Sequence, residues 1–462
     1  MADTAVVVGG GLAGIAAALR LSDAGRSVTL LERRPRLGGA AFSFRRGELT
    51  IDNGQHVFLR CCTAYRELIE RLGATDLVTV QDRLDIPVLK AGGGRTAHLR
   101  RSRGIPAPLH LTAALARYAL LSPPDRARAA RGALALRSLD PDDRSLDALT
   151  LGDFLRRHGQ NDATIDRLWG IIAVATLNLR PDDASLALAA KVFRTGLLDA
   201  AEAADVGYAA VPLGDLHSTA AERALTAAGV EVLTGHRVDL VAPAGSGVTV
   251  EATGPTGQRS WSADRVVLAT PPAEAFAAAP GLESTDAAPA QGLGASPIVN
   301  VHVIYDRVVT ELPFAAAVSS PVQWIFDRTE PSTVRNQHRQ AQYLAITVSA
   351  ADALIDTPSR VLTDQFEAEL AALLPGTERA NVIDSFVTRE RRATFRQAAG
   401  TWRMRPSAAS GLPGVWLAGA WTDTGWPDTM ESAVRSGNAA AEAALRAPLS
   451  ATAESGTSGV TS

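Results

Sequence analysis

Gly9, Gly11 and Gly14 stand in GxGxxG spacing, and Glu32 follows eighteen residues after the last of them. Residues without side chains at these places let a chain turn tightly (Gly9), bring backbone up to a pyrophosphate (Gly11) and pack a helix closely on a sheet (Gly14). A carboxylate placed like Glu32 accepts hydrogen bonds from ribose hydroxyls and repels a 2′-phosphate, so the expected ligand is a dinucleotide with a free adenosine ribose. Two further places bring acid–base groups together: Asp52 and His56 share the run DNGQH, and Asp423 and Asp428 share TDTGWPD. Each has an ordinary alternative. Asp52 suits a turn before Asn53–Gly54, His56 suits a hydrogen-bonded core, and Asp428 suits the cap of a following helix. No metal-ligating cluster, GxSxG or Cys–His arrangement is visible in the sequence, so metal and hydrolytic chemistry carry no signal.

The surrounding elements are built to position these residues. Val6–Val8 reads as a short apolar strand, and an alanine-rich helix opens at Leu12–Ala13 and closes near Gly25. Ser27–Leu31 reads as a second strand ending at Glu32, with Arg33 beside it. The helix start offers N–H groups and the positive end of its dipole to phosphates. Gly38–Gly39, just before Ala40, is either a common loop dipeptide or the clearance that an FAD pyrophosphate and ribityl chain require. NAD-type sites have no need of it. Gly229–Val241 and Arg265–Thr270 resume a β pattern, with Val238 near the end of a strand lining the adenine; two plain core strands would look the same. Val415–Ala418 then runs into Gly419–Ala420, and a last helix starts near Thr429–Met430. Its first amides, aimed at the N1–C2=O edge of a flavin, would stabilise the charge of the reduced ring.

Residues 105–200 read as mostly helical, and 298–305, 322–327, 342–348 and 382–388 read as strands of a second sheet. This order implies an α/β fold, a two-dinucleotide-binding-domain flavoprotein. Its Rossmann-type FAD domain is assembled from 1–85, 205–275 and 405–447. An interleaved α+β substrate domain takes 86–204 and 276–404, and 448–462 reads as a disordered tail.

The 462-residue chain is 46% hydrophobic and 21% charged with a net charge of −3, which suits a globular protein with a large core and excludes nucleic acid as a main partner. Cys61 and Cys62, the only cysteines, are neighbours and read as reduced packing residues. The start, MADTAVVV, lacks the basic opening of a signal peptide, and a cytoplasmic location is expected. Arg100–Arg137 holds eight arginines and one acid, Asp125, among apolar stretches such as LHLTAALARYALL. It is either a solvated helical face or a surface for anionic lipid.

With these motifs in hand, a resemblance can be stated. The glycine loop with Glu32 and Gly38–Gly39, together with LAG…TMESAVRSG near the end, resembles the amine oxidase and phytoene desaturase superfamily of FAD enzymes. DNGQH, ATLNLRPDDASLALAAKVFRTGLL (175–198) and LAGAWTDTGWPDTMESAVRSG resemble the squalene-associated FAD-dependent desaturases, the hydroxysqualene dehydroxylases. The resemblance implies FAD, an isoprenoid substrate, and reduction of hydroxysqualene to squalene in squalene and hopanoid synthesis. It brings DNGQH close to the flavin, making His56 and Asp52 the candidate proton donors with Asp423 and Asp428 in reserve. No second GxGxxG is present for nicotinamide, so electrons are expected from NADPH or a reductase that remains to be identified. A lipid substrate favours peripheral contact with the inner face of a membrane. Two positions depart from the superfamily: Ala40 replaces its usual Arg, and Ala420 replaces its usual acid. A carotenoid-type desaturase or an amine oxidase would run the flavin in the oxidising direction, and a lipid-binding escort protein of the same fold would not use it at all.

Overall fold

The computed structural model describes residues 3–92, 96–245 and 247–448. A five-stranded parallel sheet forms its cofactor half, in the spatial order Glu231–Thr234, Ser27–Glu32, Thr4–Val8, Arg265–Leu268 and Val415–Leu417. Its strands come from three separated stretches of chain. Val6, Val7, Val266 and Val267 are all buried, as befits strands covered on both faces. Helix Leu12–Asp23 lies against this sheet and against the last helix, Met430–Arg446. The two helices meet at Gly437, where a Cβ would overlap the Ala13 carbonyl.

The second half is built on a seven-stranded mixed sheet in the order Val382–Phe395, Ala295–Tyr305, Gln342–Val348, Trp324–Asp327, Phe314–Val318, Asp85–Lys90 and Thr96–Arg100. Helix Ser359–Leu373 covers it through Leu362, Phe366 and Leu370. Six helices between Thr112 and Phe193 confirm the helical reading of that stretch. Among the described residues no helix is long and apolar enough to cross a membrane. The supposed tail lies outside the described residues except for Pro448, as do Gly93 and Gly94.

The structure corrects one reading of the β pattern and adds a strand that the pattern did not show. Gly229–Val241 is two strands in different sheets, because Gly235 takes φ +71° and turns the chain between them. Val238 therefore stands near the start of the strand Arg237–Ala244, beside a register shift, and not near a strand's end. Phe314–Val318 (FAAAV) is a fully buried strand that alanine content disguises. Small side chains suit it, since both faces are covered.

Candidate flavin site

The glycine loop has the geometry its sequence demands. Gly9 adopts φ +108°, and a Cβ on Gly14 would overlap the Gly9 carbonyl, so helix and turn approach closer than any side chain permits. The helix is capped at Gly11 without a side-chain hydrogen bond, which leaves its first amides, from Leu12 and Ala13 onward, free for an anion. Glu32, buried, accepts from the Gly10 N–H and the Arg34 N–H, each at 2.7 Å. The carboxylate thus fixes the phosphate loop and its own turn. Arg33 is exposed, its guanidinium 3.6 Å from Glu274.

Gly38–Gly39 stacks on that loop. The Gly38 N–H donates to the Gly10 carbonyl at 2.9 Å, and a Cβ on Gly39 would stand 2.8 Å from the Gly11 Cα. These contacts form a cradle that side chains would fill. Ala40 is exposed, and its carbonyl accepts from Asn53 Nδ2 at 2.8 Å. A cation stands nearby that motif reading passed over. Arg36 Nη1 donates to the Leu37 and Gly39 carbonyls at 3.1 and 3.3 Å, and its guanidinium lies 3.6 Å from the centre of the Phe42 ring. Burial, with Arg34 close by, pulls Arg36 down to about 10, still charged at neutral pH.

The far side of the site is the start of the last helix. Thr429 is its N-cap, with Oγ1 accepting from the Ser432 N–H, and Met430 is its first residue. Gly419 donates to Ser436 Oγ at 2.8 Å, tying the end of the strand to the helix. The Ala420 carbonyl accepts from Arg405 Nη2 at 3.0 Å. Glu431, 1% exposed, reaches across to helix Thr63–Arg71 and accepts from the Ala64 and Tyr65 N–H groups. That helix has no side-chain cap of its own. Glu431 supplies one from another element, a role that its position inside TMESAVRSG conceals.

Of the four titratable candidates, two line one small pocket. Asp52, Gln55, His56, Asp327 and Arg328 are polar residues of its lining, and Tyr208, Leu213, Phe314 and Phe326 are among the aromatic and apolar ones. Asp52 accepts from Ser43 Oγ at 2.6 Å, the Leu213 N–H at 2.9 Å and Arg328 Nη2 at 2.8 Å, so all of its bonds hold the pocket together. His56 Nδ1 lies 3.1 Å from the Gly54 carbonyl, and burial pushes its pKa below the ordinary value. A neutral imidazole holding its Nδ1 proton against that carbonyl presents Nε2 as an acceptor. Asp423 accepts from Trp402 Nε1 at 2.9 Å and pairs with Arg144 at 2.5 Å. Asp428 is not the helix cap. Its Oδ2 accepts from the Phe395 N–H at 2.7 Å, and burial pushes it up to about 6.

A glycine cradle, a buried acid at the end of the second strand and a helix N-terminus with free first amides fit FAD, and the wider chain agrees. The model of flavin containing amine oxidoreductases matches residues 12–445. The chain belongs to that family. It is an FAD-dependent oxidoreductase. It is 31% identical to a hydroxysqualene dehydroxylase of Rhodopseudomonas palustris over 97% of this chain and 99% of the relative. It is 24% identical to a zeta-carotene desaturase of Arabidopsis thaliana, covering 94% and 84%. Cyclohexylamine oxidase from Brevibacterium oxydans shares the fold, with a TM-score of 0.66, 20% identity, and coverage of 96% and 99%.

Proposed function

We propose that the enzyme reduces hydroxysqualene, an allylic alcohol on a C30 hydrocarbon, to squalene. The full-length likeness to hydroxysqualene dehydroxylase carries this reading. The pocket agrees with it: aromatic and aliphatic walls suit a hydrocarbon, while Gln55 and His56 offer hydrogen bonds that only a hydroxylated chain would use. Gln55 Nε2 is buried without a partner among the described residues, a cost that a hydroxyl oxygen would remove. A carotene would leave those groups unsatisfied, which favours the alcohol over the desaturase reading.

Bound FAD, once reduced, supplies hydride. The protein's own part is to hold it, through Gly9–Gly14, Glu32, Gly38–Gly39 and the helix opening at Thr429, and to keep water from the reacting carbon. The hydroxyl must also be protonated, because hydroxide leaves poorly. The electron donor is NADPH or a separate reductase. Access for so apolar a substrate is best explained by contact with a membrane surface. Ile105 and Leu109 are 42% and 61% exposed on one loop, with Arg103 and Arg117 also exposed around it.

The test is anaerobic. Dithionite-reduced enzyme mixed with hydroxysqualene is expected to return to oxidised flavin while one squalene forms per flavin. Flavin that stays reduced with the alcohol, or oxidised enzyme that desaturates a carotene, would overturn the proposal.

A further inference from the structure

Asp428 is held by its surroundings without being used up by them. Its backbone N–H donates to Gln397 Oε1 at 2.8 Å, and Oδ2 accepts from the Phe395 N–H. Those bonds pin the residue between the long strand and the last helix. Oδ1 has no hydrogen-bond partner among the described residues, and the side chain is only half-buried. The next residue is Thr429, the cap of the helix whose first amides face the flavin site.

A second observation lies beside it. Arg405, 5% exposed, donates through Nη2 to the Ala420 and Thr422 carbonyls, while Nε and Nη1 are buried with no hydrogen-bond partner among the described residues. A buried guanidinium with two idle nitrogens is costly unless a neighbour becomes negative. The charged groups around it are Asp428, Asp423, Asp147 and Arg144. Asp423 is already paired with Arg144, and Asp147 accepts from Ser185 Oγ and the Trp402 N–H. Only Asp428 keeps an unengaged oxygen. Arg405 therefore stabilises the carboxylate that remains after Asp428 gives up a proton.

Resting on the dehydroxylation reading, we propose that Asp428 is the acid that protonates the leaving hydroxyl, with Arg405 as the positioning residue that stabilises its conjugate base. The C–O bond breaks with both electrons passing to oxygen, which takes the Asp428 proton and departs as water. Bound FAD in its reduced form would supply the hydride that closes a C–H bond at the allylic carbon, two electrons passing from flavin to substrate. Asp428 recovers its proton from solvent, to which its half-buried side chain is partly open. Burial holds this carboxyl at about 6, so about a tenth of it is protonated at pH 7. Burial pushes His56 the other way and keeps its imidazole neutral, so it is not the acid.

The experiment compares two substrates that differ in their need for a proton: the allylic alcohol and the corresponding allylic chloride, whose leaving group departs unprotonated. Stopped-flow reoxidation of reduced holoenzyme is followed for the wild type, Asp428→Asn and Asp428→Glu, each with bound FAD verified. Asp428→Asn is expected to slow the alcohol reaction about 10²-fold or more while the chloride reaction stays within about threefold, and Asp428→Glu is expected to restore part of the alcohol rate. Equal slowing with both substrates, or an unchanged alcohol rate, would overturn the role of Asp428. Wild-type enzyme inert towards both substrates would instead overturn the dehydroxylation reading and this proposal with it. An infrared pH titration of the apoprotein provides a readout independent of turnover. A carboxylic C=O band absent from Asp428→Asn is expected to bleach with a midpoint of about 6; no such band at pH 5 would refute the proposal.

Discussion

Glu431 offers the sharpest test of how the two halves of the flavin site are joined. Its carboxylate accepts from the Tyr65 N–H at 2.8 Å, the Ala64 N–H at 3.2 Å and Arg435 Nε at 2.6 Å. Glu431→Ala would strand two buried amides at the first turn of helix Thr63–Arg71. A hydrogen bond to a charged group contributes about 1.5–3 kcal/mol. The Arg435 pair adds at most about 1 kcal/mol, because the Arg435 side chain is 35% exposed and solvent screens it. With two such bonds, the expected loss is therefore about 3–7 kcal/mol of stability. Glu431→Gln retains shape and one acceptor oxygen and should lose about half as much. Urea unfolding measures the loss, and flavin released on denaturation measures occupancy, which should fall in the Ala variant as the last helix loses its anchor. A loss under about 1 kcal/mol with full flavin content would refute the reasoning, and so would a Gln variant as damaged as the Ala variant.

Glu32→Ala should weaken FAD binding by about 1.5–3 kcal/mol, read by titrating apoprotein with FAD; unchanged affinity would remove Glu32 from the site. Acidification should destabilise the fold. Burial holds His217 at about 4 and His302 at about 3, against about 6.5 when unfolded, so the unfolded chain binds more protons in that window. Their contribution is complete above pH 6.5 and is lost as pH falls towards 4. Asp428 acts oppositely, stabilising below its folded value and losing that as pH rises through 6, but its shift is smaller than those of the two histidines together. Urea midpoints that stay flat between pH 7 and 4.5 would contradict this. Binding to anionic vesicles should fall with salt and fall further in Ile105→Ser/Leu109→Ser, whereas equal binding to neutral vesicles would argue against an electrostatic contact. Arg126 and Arg128 are unsuitable for charge reversal. The first bonds three backbone carbonyls, at Ala116, Tyr118 and Leu121, and the second pairs with Asp125.

Local rules made the glycine loop, Glu32 and the start of the last helix legible, because each depends on a few neighbouring residues. A turn at φ +108° needs Gly9, a close-packed helix needs Gly14, and Thr429 caps the helix it precedes. The same locality explains what was misplaced. Gly229–Val241 carries one continuous β pattern, yet only pairing partners assign its halves to different sheets. FAAAV has the composition of a helix and becomes a strand because its two neighbours, Trp324–Asp327 and Asp85–Lys90, offer backbone to pair with.

The sequence by itself determined the glycine loop between its strand and helix, the start of the last helix, the use of FAD, and which family the chain resembles. Only the tertiary structure decided which acids are engaged and which is idle. Asp52 and Asp428 look alike as aspartates in polar runs, and their chemistry separates through residues far away in the chain. Arg328 lies 276 positions from Asp52 and claims its carboxylate. Phe395 claims one oxygen of Asp428 and leaves the other open, while burial raises its affinity for a proton. Protonation depends on the field and solvation at a point in space, and a linear pattern of residues carries neither.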